Sequence, residues 1–143
     1  MRYLLDTCVI SEFNKKVPSP SLIAWLSQVD EGDLFLSSIT IGEIRKGIEI
    51  LNPGDSRHFR LQTWYDSIIE GFSSRIISFD KTIAAEWGRM VGLSIREGRT
   101  KPAIDIQIAA TAFTYGLTLV TRNVKDMANV GVKIFNPFEF RPD

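Results

Sequence analysis

Three features of the chain predict a three-layer α/β/α fold with a mostly parallel central sheet of about five strands. Short apolar runs rich in Leu, Ile and Val alternate with longer stretches whose apolar residues recur at helical spacing. Strands separated by helices need crossover connections, and these generate parallel pairing with helices on both faces of the sheet. Four acids, Asp6, Glu43, Asp105 and Asp126, each fall where an apolar run stops or a helix begins. That edge is where α/β sheets gather their chemistry.

The elements follow in order along the chain. Tyr3 to Leu5 is a short apolar strand, closed by Asp6 and followed by a short helix through Val9, Ile10 and Phe13. Pro18 and Pro20 punctuate the start of a second helix carrying Leu22, Ile23, Trp25, Leu26 and Val29, with Ser19 or Ser21 as its cap. A second strand spans Leu34 to Ser37. Thr40 and Glu43 then match a capping box at the head of a helix with Ile41, Ile44, Ile48 and Leu51 on one face, ended by Asn52-Pro53-Gly54.

Between Arg57 and Gly71, the residues Leu61, Trp64, Tyr65 and Ile68 recur at helical spacing, which predicts a surface helix with a buried aromatic face; Ser73-Ser74 breaks it. A third strand covers Arg75 to Ser78. Asp80 caps a long helix bearing Ile83, Ala84, Trp87, Met90, Val91 and Ile95, which ends near Gly98. The helix from Pro102 to Tyr115 holds Ile104, Ile108, Ala109, Ala112 and Phe113, and its alanines predict close helix packing before Gly116 stops it. A fourth strand, Thr118 to Thr121, and a weak fifth, Val132 to Phe135, complete the set.

The 143 residues, 44% hydrophobic, suit a single domain spanning 1–143, and neither repeats nor linker-like tracts divide them. The single cysteine, Cys8, excludes an intramolecular disulfide and fits a reducing compartment. No signal-peptide pattern opens the chain, and no apolar stretch approaches the roughly 20 residues that span a bilayer. A soluble cytoplasmic protein is the expectation. Cys8 reads as a small hydrophobe, because the lone His58 lies far from it in sequence, and no glycine-rich phosphate loop is present.

Net charge is zero, with 17 basic and 17 acidic residues, which at first argues against a polyanionic partner. Setting aside the four candidate acids leaves 17 basic side chains against 13 acidic ones. Several of the basic residues flank the acids closely in sequence: Arg45 and Lys46, Arg99 and Lys101, and Arg122 beside Lys125. An acidic centre with a basic rim suits a phosphate polymer held over a cation, although each Lys or Arg alone is equally well explained as solvated surface.

Converging carboxylates repel one another and demand a compensating cation. Each acid also has a purely structural explanation: Glu43 as the partner of Thr40 in a capping box, Asp6 and Asp105 as helix-start residues, Asp126 as a turn cap. Their joint placement at the ends of strands and the starts of helices favours a shared site.

Four segments resemble the PIN-domain ribonucleases of the VapC type, close to the FitB branch: Leu4-Leu5-Asp6-Thr7-Cys8-Val9-Ile10-Ser11-Glu12, the stretch from Ser38 to Gly47, Asp105-Ile106-Gln107-Ile108-Ala109-Ala110-Thr111-Ala112, and Leu119-Val120-Thr121-Arg122-Asn123-Val124-Lys125-Asp126. The match covers nearly the whole chain. It implies the toxin of a type II toxin–antitoxin pair, a homodimer that cleaves RNA with Mg²⁺ or Mn²⁺. Its partner is a small antitoxin, through which alone it meets operator DNA. The resemblance places the active-site acids on Asp6, Glu43 and Asp105, all three as metal ligands, and the fourth position on Asn123. Many relatives carry Asp at that position and Phe where this chain has Met127, so Asn123 and the nearby Asp126 both stand as candidates. Thr7 and Thr121 offer hydroxyls to orient the ligands, and Arg45, Lys46, Arg99, Lys101 and Arg122 are candidates for contacting RNA.

An oxygen-only donor set suits Mg²⁺ or Mn²⁺, whereas zinc would recruit His or Cys. Protons compete with such a cation, so its affinity is expected to fall with acidity. Two other classes remain open: a metal-dependent phosphatase, whose covalent Asp or phosphate-binding apparatus is not evident, and a catalytically weak module of the same fold that acts with an antitoxin as a DNA-bound repressor.

Overall fold

The computed structural model describes residues 1–128 and 130–143. In chain order the main elements are β1 (Tyr3–Leu5), α1 (Thr7–Ser11), α2 (Pro20–Leu26), β2 (Leu34–Ser37), α3 (Ser38–Glu49), α4 (Ser56–Phe72), β3 (Ile76–Ile77), α5 (Lys81–Arg96), α6 (Ala103–Tyr115), β4 (Thr118–Val120), α7 (Val124–Met127) and β5 (Ile134–Phe135). Short 3₁₀ turns follow α1 at Glu12–Asn14 and β5 at Pro137–Glu139.

The five strands form one parallel sheet in the order β3-β2-β1-β4-β5. β1 lies at its centre, with Leu5 opposite Val120 on β4. The chain winds outward from β1 on both sides, so the point where the winding reverses falls between β1 and β4. Residues 6 and 121, which follow these strands, therefore emerge side by side at that point.

Alternation along the strands sorts the core into two layers. Leu5, Leu36, Val120 and Phe135 face one side, where they meet Val9, Ile10, Leu22, Trp25, Ile44 and Ile48 from α1, α2 and α3. Leu4, Phe35, Leu119 and Ile134 face the other, against Ile108, Ala109, Ala112 and Met127. The predicted alanine packing holds: Ala109 and Ala112 turn to the sheet while Ile106 and Ala110 turn to Ile83 and Met90 of α5. Side chains this small let α6 lie close to both neighbours, and Gly116, at φ 65°, ends the helix in the left-handed conformation.

Several boundaries differ from the sequence reading. The first helix stops at Ser11 and continues as the 3₁₀ turn through Phe13. β1 and β2 have the expected bounds, whereas β4 and β5 are shorter than expected and β3 keeps only Ile76 and Ile77. Arg75 instead ends a 3₁₀ turn, Ser73–Arg75, and its guanidinium donates to the carbonyls of Leu34 at 2.7 Å and Gly71 at 2.9 Å. The aromatic face of α4 is half-buried, with Trp64, Tyr65 and Ile68 lying against the edge of the core. Ser19 and Asp80 cap α2 and α5, accepting from the amides of Leu22 and Ile83.

Ser73 ends α4 at φ 40° and ψ −108°, a conformation in which a Cβ is strained and glycine is not. Ser73→Gly should therefore stabilise the fold by roughly 1 kcal/mol, the cost of holding an L-residue at positive φ. Urea denaturation of the two proteins measures it; an unchanged or lower midpoint counts against strain at this residue.

Candidate active site

Asp6 sits at the C-terminal end of the central strand as the N-cap of α1, 4% exposed. Its Oδ1 accepts from the Thr7 amide at 2.8 Å, and its Oδ2 accepts from the Thr121 hydroxyl at 2.7 Å. The second bond is a direct product of parallel pairing, since β1 and β4 run in register and end together. The Cys8 thiol lies 3.6 Å from the same Oδ2 and 3.6 Å from the Thr121 hydroxyl. Burial, and then the charge of Asp6, push that thiol above its ordinary value, so Cys8 is no thiolate nucleophile at neutral pH.

Glu43 reaches this edge from α3. The predicted capping box does not form: Ser37, the last residue of β2, caps the helix by accepting from the Ile39 amide at 3.0 Å, so Thr40 lies inside the first turn and is fully buried. Glu43 falls in the second turn and is free to face β1, where its Oε1 accepts from the Thr7 hydroxyl at 2.6 Å. Thr7 Oγ1 also lies 3.1 Å from Thr40 Oγ1. One residue thus holds Asp6 through its amide and Glu43 through its hydroxyl.

Asp105 occupies the first turn of α6, as expected, behind a Pro102 cap without a side-chain bond. Burial raises its carboxyl above the ordinary Asp value. The charges of Asp6, then Asp126, then Glu43 raise it further, against Lys101. Acids from three other segments thus bear on the Asp105 carboxyl. Among the described residues no three His, Cys, Asp or Glu side chains stand close enough to hold a metal ion directly, so the acids form a coupled cluster rather than a ready three-ligand cage. Their carboxylate oxygens are the kind of donor a hard divalent ion takes.

At the fourth position, Asn123 is exposed at the head of α7, and its backbone N–H donates to the Thr121 hydroxyl at 3.0 Å. Asp126 is also exposed, and its carbonyl accepts from Lys101 Nζ at 2.7 Å. A cleft lined by Arg122, Asn123, Lys125, Asp126, Asn136 and Glu139 opens beside them.

The basic rim is partly committed. Arg45 bonds Gln62 and Glu49 and lies over Tyr65, while Arg99 pairs with Glu97. Lys46 is exposed. Arg122 stands 3.8 Å over the Phe138 ring and 3.6 Å from Glu12. Glu12 is a residue that sequence reasoning passed over: it is 5% exposed, yet its setting among Ser11, Asn14 and Lys15 carries no sign of burial.

The chain is similar to known proteins over nearly its whole length. Residues 3–133 match the family model described as PIN domain. The chain is 35% identical over 135 residues to toxin FitB of Neisseria gonorrhoeae, covering 94% of this chain and 97% of that one. It is 29% identical over 136 residues to the VapC ribonuclease Y4jK of Sinorhizobium fredii, covering 95% and 97%. The crystal structure of FitAcB from Neisseria gonorrhoeae superposes with a TM-score of 0.87 at 34% identity, covering 96% of this chain and 99% of that chain. A FitAB complex bound to the IR36 DNA fragment gives a TM-score of 0.85 at 34% identity, covering 98% of each.

The raised Asp105 carboxyl fixes the sign of a pH effect. A folded-state value above the ordinary 3.8 means that ionisation burdens the folded state, so this contribution favours folding at acid pH and is lost as pH rises through 3.8 toward the raised value. Asp105→Asn should raise the melting temperature of the metal-free protein near pH 7, and the gain should fade toward about pH 3, where both side chains are neutral. Thermal melts in EDTA across that range read it. A gain of equal size at both ends would mean that packing, not charge, is responsible.

Proposed function

The chain belongs to the PIN-domain family, with VapC and FitB toxins among its relatives, and on that premise we propose that its acidic edge is the active site of a Mg²⁺- or Mn²⁺-dependent toxin endoribonuclease. The observation that carries this is geometric: Thr7 bonds both Asp6 and Glu43, and Thr121 bonds Asp6, at the edge of the sheet where the raised Asp105 carboxyl meets their charges. Mutually repelling carboxylates destabilise a fold unless a cation or a proton relieves them, and they are the donors a hard divalent ion takes.

In this reading Asp6, Asp105 and Glu43 would hold the cation partly through its own waters, since the three do not stand close enough to ligate it together, with Asn123 and Asp126 as outer support. Such an ion supplies positive charge for phosphoryl oxygens and lowers the pKa of coordinated water. The side chains do the rest. Thr7 and Thr121 fix the rotamers of Glu43 and Asp6, because a hydroxyl donor 2.6 or 2.7 Å from a carboxylate oxygen makes a strong charge-assisted bond. Glu43, tied through one oxygen, keeps the other for orienting an attacking water. Lys46 and Lys101 meet the RNA backbone, and Arg45 and Arg99 can exchange their surface ion pairs for phosphate at little cost, since exposed pairs contribute only about 0–1 kcal/mol.

The chain acts as the toxin of a toxin–antitoxin pair: a cytoplasmic homodimer of single domains, residues 1–143, silenced by a small antitoxin that carries the complex to operator DNA. The FitAB complex on a DNA fragment supports that assembly. No helix among the described residues is long and apolar enough to cross a membrane.

Expression of the isolated chain should arrest growth, and Asp6→Asn should abolish the arrest. In vitro, RNA cleavage in Mg²⁺ should fall roughly 100-fold or more in Asp6→Asn and in Asp105→Asn, comparable with removing a group that stabilises transition-state charge. EDTA should stop cleavage and Mn²⁺ restore it. A folded wild-type chain that leaves RNA intact in both metals would overturn the nuclease reading and favour the DNA-bound repressor.

A further inference from the structure

Only two acids are buried among the described residues: Asp6, already placed in the site, and Glu12, which the chemistry above does not use. A buried carboxylate is costly unless paired. Glu12 is paired heavily. Its Oε1 accepts from the Ser19 amide at 3.2 Å, and its Oε2 lies 3.0 Å from Lys15 Nζ and 3.6 Å from Arg122 Nη2. Burial opposes ionisation, but Lys15, the Ser19 amide and Arg122 outweigh it and hold the carboxyl below its ordinary range.

Lys15 and Ser19 are local to Glu12, whereas Arg122 comes from the turn after β4. Its guanidinium is fixed on two sides, by the Glu12 carboxylate and by the Phe138 ring 3.8 Å away on the 3₁₀ turn after β5. Half its side chain is exposed, at 49%, so this conformation is not imposed by enclosure. The residues on either side of it serve the site: Thr121 donates to Asp6 Oδ2 at 2.7 Å, and the Asn123 amide donates to Thr121 Oγ1 at 3.0 Å.

We propose that Glu12, Arg122 and Phe138 form a clamp that fixes the Thr121–Asn123 turn against Asp6, making Glu12 and Arg122 positioning residues of the acidic site. On this assignment Arg122 leaves the set of candidate RNA contacts. The inference rests on reading the acidic edge as a metal-dependent nuclease site. With the clamp open, the turn keeps its backbone bond from the Thr121 amide to the Phe135 carbonyl, but the Thr121 hydroxyl and Asn123 lose their fixed relation to Asp6.

The test uses the purified full-length chain as Glu12→Gln, Arg122→Gln and the double variant. For each, kcat and KM on RNA, Mn²⁺ affinity by electron paramagnetic resonance, and Tm are measured. Each single variant should lower kcat and weaken Mn²⁺ binding by roughly 10-fold, as loss of groups that orient metal ligands does, with KM for RNA within about twofold. The double variant should be no worse than the weaker single, because the pair acts as one unit. An Arg122→Gln protein with raised KM, altered salt dependence and unchanged Mn²⁺ affinity makes Arg122 an RNA contact and overturns the clamp. So does a Glu12→Gln protein that loses only Tm. If Glu12→Gln does not fold, Arg122→Gln and Phe138→Leu, both at the surface end of the clamp, decide the matter by the same measurements. Absence of RNA cleavage by the wild type defeats the nuclease reading alone, since the clamp is then judged on Mn²⁺ affinity, and equal affinity in all variants overturns it.

Discussion

The buried carboxylate of Asp6 at the end of the central strand is the constraint around which the rest of the molecule is arranged. A charge removed from water costs several kcal/mol unless its lone pairs are met. Here they are met by the Thr7 amide and the Thr121 hydroxyl, one from the next residue and one from just past β4, more than a hundred residues away. Only a parallel pairing in which Leu5 faces Val120 brings that hydroxyl to that oxygen. A slip of one residue would turn every side chain of β1 to the opposite layer and leave the carboxylate unpaired, so packing and polar satisfaction select the same register.

Asp105 runs against stability. Asp105 is raised by burial and by three negative neighbours, a local conflict that a sequence selected for stability alone would remove. The apolar layers tolerate it. Leu4, Leu119, Ile108 and Ala109 are fully buried on one face of the sheet and Leu36 and Leu22 on the other, and this core holds the helix starts where they are despite the repulsion.

Much of this was legible in the sequence because it is local or periodic. The apolar runs at β1, β2 and β4, the caps at Ser19 and Asp80, the stop at Gly116 and the acids at strand and helix ends all follow from spacing and residue type. Glu43 was legible as an acid at this edge of the sheet but misplaced within its helix. Ser37 and Thr40 are both acceptable caps, and the choice depends on where β2 ends, which is set by its pairing with β3. Glu12 closed the first family-like segment, but its burial was not legible, since it depends on Arg122 and on the fold of the Ser19 turn around it. Nor does spacing along a chain give distances between carboxylates, so a tight cage and a cluster coupled through space look alike in sequence.

The division of labour between apolar and polar contacts explains why the site tolerates such scattered origins. Hydrophobic burial is non-directional and brings elements together without setting a side chain's rotamer. A hard cation with near-octahedral demands needs its oxygen donors held more finely than that. Each acid-bearing segment here carries a directional tie to another: Thr7 joins β1 to α3, Thr121 joins β4 to β1, and Lys101 joins the approach to α6 with α7 through the Asp126 carbonyl. Arg122 extends the same logic outward, binding the turn after β4 to the segments after α1 and β5. Because these ties run between segments, loss of one loosens two acids' surroundings at once, and the site behaves as a unit although its pieces are spread over the whole chain.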